Sequence, residues 1–188
     1  PLFAAEGFDP ATLAATAARL RSAADAIEEA ATAAIARHVR ADEMAIAWLD
    51  PGLFGEPAEV RQRVLVRILM AIGGEPYPPR FERLAALDEA LAGHRRGRLK
   101  RTLAGSVAEW RAGKFAFYRE LGRDGITRLA LSASKSVTWD GRFAIEAGPD
   151  LAAGLQVGAL GEDGRIAIGA RADMAPAGAL AALPAIRR

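Results

Sequence analysis

The stretch that decides how this chain is read is residues 93–120, GHRRGRLKRTLAGSVAEWRAGKFAFYRE. Its opening is basic. Arg95, Arg96, Arg98, Lys100 and Arg101 stand within a few residues of one another. Like charges this close repel unless water or an anion separates them, so the segment is either a wet loop or a contact for phosphate. At Thr102 the pattern changes. Residues 102–110 and 114–119 are rich in β-branched and aromatic side chains and flank Arg111-Ala112-Gly113, which predicts a β-hairpin. Gly105 inside the first arm predicts a bulge or a close backbone approach.

Upstream the pattern is helical. Asp9-Pro10 is a helix start, because the carboxylate can accept from free N–H groups and proline suits the first helical position. Leu13, Leu20 and Ile27 recur every seven residues with Ala17, Ala24 and Ala31 between them, and Ile35 extends the stripe. This predicts a long amphipathic helix to about His38 whose alanine seam lets another helix approach closely. A short strand is expected within residues 44–49, then a turn at Asp50-Pro51-Gly52. A second helix is expected over residues 57–72. It buries Val60, Val64, Leu65, Ile68 and Leu69 and carries Arg61, Arg63 and Arg67 on its polar side. Those arginines are either solvated surface or weaker phosphate contacts. Gly73-Gly74 ends the helix and Tyr77-Pro78-Pro79 is extended. A third helix over residues 80–91 buries Phe81, Leu84, Leu87 and Leu91.

Downstream the chain reads as β-rich. Residues 126–131 fit either a strand or a helical turn. Asp140-Gly141, between residues 137–139 and 142–145, is a hairpin signal. Residues 155–160 and 165–168 flank a second turn, and residues 178–186 read as a short helix or an extended tail. The expected class is therefore α+β: a helical region over residues 1–95 and a small antiparallel β-rich region over residues 96–188, divided near Arg96.

Composition narrows the chemistry. The net charge is +2, yet residues 61–142 hold 17 Lys and Arg against 8 Asp and Glu, while the rest of the chain is acidic. A basic middle in a nearly neutral chain points to an anionic partner met by one face. The absence of cysteine excludes disulfides, thiol catalysis and Cys-based zinc sites, and suits a reducing compartment. No apolar run reaches the roughly 18–20 residues of a membrane span, and no signal-peptide pattern follows Pro1, so no membrane association is expected. There is no Gly-rich phosphate loop and no G-x-S-x-G, and His38 and His94 are the only histidines. Arg119-Glu120 reads as an ion pair or loop anchor before it reads as a catalytic pair. No catalytic or metal-binding residue is proposed.

Several segments, in order, resemble the C-terminal part of tRNA(Ile)-lysidine synthase. They are the opening PLFAAEGFDP with its Ala-rich helix, and the middle helix with Arg61, Arg63, Val64 and Leu65. Arg101-Thr102-Leu103-Ala104-Gly105 is similar to that family's TLxG strand, and Phe117-Tyr118-Arg119-Glu120 to its RE ending. Trp139-Asp140-Gly141-Arg142-Phe143 is similar to its W-D-x-R-F pattern. The resemblance implies a cytoplasmic ligase that uses ATP to join free lysine to the wobble cytidine of an isoleucine tRNA. ATP and lysine would be handled by an N-terminal domain with a Ser-Gly-Gly-x-Asp-Ser phosphate loop, which this chain lacks. The chain would then be a fragment that holds the tRNA and is inactive alone, its partners being isoleucine tRNA and that ATP-binding domain. Arg95, Arg96, Arg98, Lys100 and Arg101 are the expected phosphate contacts, with Arg61, Arg63, Arg67 and Arg142 as weaker ones. Trp110, Phe115 and Phe117 are expected in the core. The alternative is a protein-interaction module whose Ala-rich helix docks a partner or forms a homodimer.

Overall fold

The computed structural model describes residues 9–42, 45–122 and 125–159, and within them the chain is an α+β protein. Helix α1 spans Pro10–His38. Asp9 caps it as its sequence position requires, accepting from the Ala11 and Thr12 backbone N–H groups at 3.2 Å each. Strands β1 (Val39–Ala41) and β2 (Ala47–Leu49) follow, then a 3-10 turn at Pro51–Gly55. Helix α2 is Ala58–Gly73 and α3 is Phe81–Ala92. Next come β3 (Lys100–Leu103), β4 (Ser106–Arg111) and β5 (Lys114–Arg119). Four short strands close the described chain: β6 (Leu129–Ala130), β7 (Ser136–Trp139), β8 (Phe143–Glu146) and β9 (Gln156–Val157).

The main sheet has the order β1-β2-β5-β4-β3, with every pair antiparallel. β2 from the helical region thus pairs with β5 beyond the boundary drawn near Arg96, Leu49 standing opposite Phe115. The core is shared in the same way. Val64, Leu65, Ile68 and Leu69 of α2 and Leu84, Leu87 and Leu91 of α3 pack with Leu49, Phe115 and Phe117 of the sheet. Phe54 meets the Phe115 ring edge-on at 5.7 Å.

Three expectations change. The predicted first arm of the hairpin is two strands, β3 and β4, with Ala104 and Gly105 as the turn between them, because both residues take positive φ (48° and 67°). The hairpin is therefore a three-stranded meander. Phe81 is 65% exposed, since it occupies the first position of α3 where no described element covers it. The α1 stripe is only half used. Ala31 and Ala34 are fully buried and Ile35 packs against the core, whereas Leu13 and Leu20 are 43% and 67% exposed. The other readings are matched by short strands at 47–49 and 129–130 and by the β7–β8 hairpin around Asp140-Gly141. The readings for residues 160–188, including most of the second turn and the tail, lie outside the described residues.

Candidate nucleic-acid interface

The basic segment leaves α3 at Gly93 and enters β3 at Lys100, and two side chains hold it between those points. Leu99 is buried in the core, and its carbonyl accepts from the Trp110 N–H at 3.0 Å. The His94 ring packs on Trp110 at 4.8 Å and on Phe115 at 6.0 Å. Gly97, at φ 83°, turns the chain between these anchors. The anchors face inward, so the charged residues of the same segment are all exposed.

Their bonding is sparse. Arg95 donates only to backbone carbonyls, those of Ala92 at 2.6 Å and His94 at 3.1 Å, where a cation complements the negative end of α3. Arg101 donates only to the Lys100 carbonyl. Arg96, Arg98 and Lys100 form no side-chain hydrogen bond or ion pair with the described residues. Lys100 faces Glu109 across the β3–β4 register, but Glu109 is taken by Arg111 at 3.0 Å and by the Tyr118 hydroxyl at 2.7 Å. Burial works to raise Glu109, and its Tyr118 and Arg111 partners, helped by the nearby Lys100 charge, outweigh it and lower its pKa. The result is five exposed cations, three on the anchored loop and two at the start of β3, none of them in an ion pair with a described residue.

The weaker candidates differ in kind. Arg61 makes a two-point pair with Asp88, which is buried to 3% exposure in its side chain, at 3.0 and 2.8 Å, and also caps the Glu56 carbonyl. Arg63 and Arg67 both bind Glu28 of α1, and Arg67 also donates to the Thr32 hydroxyl. They tether α1 to α2. Arg142 is 10% exposed in its side chain and pairs with Asp140 at 2.8 Å. Each of these guanidiniums already has its anion, so the structure groups the nine predicted residues into one free cluster and four internal ties.

The Glu28 tie has a pH signature. Arg67 first, and Arg63 next, hold the Glu28 carboxyl below its usual range. A lowered folded-state value contributes stability that is present above the ordinary carboxylate range and lost as the pH falls through the folded value. Acid titration is expected to loosen the α1–α2 contact, seen as faster amide exchange in residues 27–35. Glu28→Gln should remove that acid step; an unchanged step would place it elsewhere.

Sequence reasoning missed the hub of the second cluster. Asp140, with a side chain 6% exposed, receives Arg119 through Nε and Nη2 at 3.0–3.1 Å and Arg142 at 2.8–2.9 Å. Arg119 also donates to the Gly105 carbonyl at 2.8 Å. Arg119-Glu120 is thereby a loop anchor, as the Glu120 N–H to Gly105 carbonyl bond also shows. The end of α2 closes the junction. Gly74 takes φ 68°, and a Cβ there would run into the Asp140 carbonyl, while one at Gly73 would run into the Ala104 carbonyl. Three of the motifs singled out in the sequence, at residues 101–105, 117–120 and 139–143, thus meet at one place. The legible signals for Asp140 were its turn-forming Asp-Gly pair and its place in the 139–143 motif, and neither named its partners.

No family model, no curated protein and no solved structure matches the chain. Among the described residues no group of three or more His, Asp or Glu could hold a metal ion, and no helix is long and apolar enough to cross a membrane.

Proposed function

We propose that this chain is the tRNA-holding part of a lysidine-forming ligase. In this reading it grips an isoleucine tRNA in the cytoplasm while an N-terminal ATP-binding domain joins lysine to the wobble cytidine. The observation that carries the reading is the segment of Arg95, Arg96, Arg98, Lys100 and Arg101, exposed, anchored at His94 and Leu99, and without an ion pair to any described residue. Anchoring matters because a loop already held in place loses less conformational freedom on binding. The meeting of the three family-like motifs at the Asp140 junction supports the particular family, since it gives those scattered short motifs one shared structural role. The test is binding of isoleucine tRNA to the chain across a salt series. Steep weakening with salt is expected, and no binding at low salt would overturn the proposal.

One observation favours a second reading, a helix-docking module. No described element covers the first half of α1, where Leu13 and Leu20 are exposed on an alanine-rich surface. On that reading the chain forms a salt-insensitive dimer by light scattering, and Leu20→Glu returns it to a monomer. On the tRNA reading the chain is a monomer that changes size only when tRNA is added.

A further inference from the structure

An open hollow of about 290 Å³ lies beside the Asp140-Gly141 turn, lined by Arg119, Thr127, Leu129, Thr138, Trp139 and Asp140. Resting on the tRNA reading above, we infer that this hollow receives one unstacked nucleobase of the bound RNA, with Trp139 as its stacking surface.

Trp139 is fixed for that role. Its indole N–H donates to the Thr127 carbonyl at 2.9 Å, so its polar demand is met and its ring is held against the hollow. Phe143 stacks on it with centroids 5.6 Å apart and an interplanar angle of 27°, and the Arg142 guanidinium lies over the Phe143 ring at 4.7 Å. A cation and two rings already form a layered arrangement, and a planar heterocycle extends it. Aromatic side chains presented in this way are a standard means of holding unpaired bases.

The rest of the lining selects the occupant's charge. Arg119 and Asp140 pair across the wall of the hollow and Asp140 is shared with Arg142, so among the described lining residues no carboxylate is left unpaired to repel RNA. The hydroxyls of Thr127 and Thr138 make no hydrogen bond to the described residues. A hydroxyl both donates and accepts, so it can meet the edge of any base. Leu129 supplies an apolar wall. This is a site for a neutral planar ring with polar edges, and it is tolerant of base identity. Phosphate recognition is left to the loop at 95–101.

The test uses the whole chain, unaltered, with single-stranded RNA of about ten nucleotides carrying 5-bromouridine, and with the same sequence as a duplex. Ultraviolet crosslinking followed by peptide mapping should place the single-strand adduct on Trp139 and give none there with the duplex. Thr127→Val with Thr138→Val should reduce the adduct, and Trp139→Leu should weaken single-strand binding roughly tenfold. Adduct on Trp48, Trp110 or Tyr77 with Trp139 untouched, while isoleucine tRNA still binds, overturns this inference and leaves the tRNA reading standing. Failure of both RNAs and of the tRNA to bind overturns the two together. Repeating the crosslink with tRNA carrying 5-bromocytidine, with and without its single-stranded 3′ CCA end, separates an end nucleotide, whose adduct is lost, from a loop nucleotide, whose adduct persists.

Discussion

Replacing Arg95, Arg96 and Arg98 together by alanine is expected to flatten the salt dependence of tRNA binding by about two to three units of slope, because each phosphate contact contributes about 0.7–0.9. Between about 50 and about 200 mM salt, the advantage of the unaltered chain over the variant should therefore shrink by roughly 20- to 40-fold. The three side chains are exposed and none pairs with a carboxylate among the described residues, so the variant should lose only the Arg95 bonds at the end of α3, about 0.3–1 kcal/mol. Arg61→Ala is the contrasting control. It strands the buried Asp88 carboxylate and should cost stability while leaving the salt slope unchanged. Salt-slope measurements on the three proteins decide the matter. An unchanged slope in the triple variant removes this loop from the interface.

Asp140→Ala is expected to destabilise the fold by about 3 kcal/mol or more, since removing one partner of a buried ion pair leaves uncompensated charge. Here it leaves two guanidiniums, Arg119 and Arg142, whose side chains are only 23% and 10% exposed. For a chain of this size each kcal/mol corresponds to about 2–4 °C, so thermal unfolding should shift down by roughly 6–12 °C. Asp140→Asn keeps the shape and one acceptor and should fall between. The loss follows from position as much as charge. Asp140 ties the β7–β8 hairpin to β5 through Arg119, and its carbonyl sits against Gly74 at the end of α2. An unchanged transition in Asp140→Ala would mean that the junction contributes little to holding these elements together.

The two variants separate classes of arginine that look alike in the sequence. Arg63 and Arg67, four residues apart on a predicted polar face, fit phosphate contacts as well as Arg96 and Arg98 do. What distinguishes them is Glu28, 35 and 39 residues earlier, which the packing of α1 on α2 brings to both. No local pattern encodes that meeting. Likewise Asp140 was legible as a turn residue and Arg119 as a candidate anchor. Their pairing depends on where the β7–β8 hairpin lands. The exposure of Leu13 and Leu20 among the described residues was invisible for a related reason: a hydrophobic stripe shows that a face can be buried, and does not show how far a partner element extends along it.

Sequence alone determined the elements whose causes are local. The Asp9-Pro10 cap, the apolar spacing of α2, the left-handed stop at Gly74 and the turns at Ala112-Gly113 and Asp140-Gly141 follow from backbone geometry and periodicity over a few residues. So did the α+β class and the basic loop at 95–101. Tertiary structure decided what lies far apart in the chain. It paired β2 with β5, turned one predicted hairpin arm into two strands about Ala104 and Gly105, gave Arg61, Arg63 and Arg67 their carboxylates, and brought Arg119 to Asp140. The physical reason is that a charge's availability is a property of its neighbours in space. Among the described residues Arg96 and Arg98 have no carboxylate partner, because the residues anchoring their loop, His94 and Leu99, are apolar in their contacts and bring none with them.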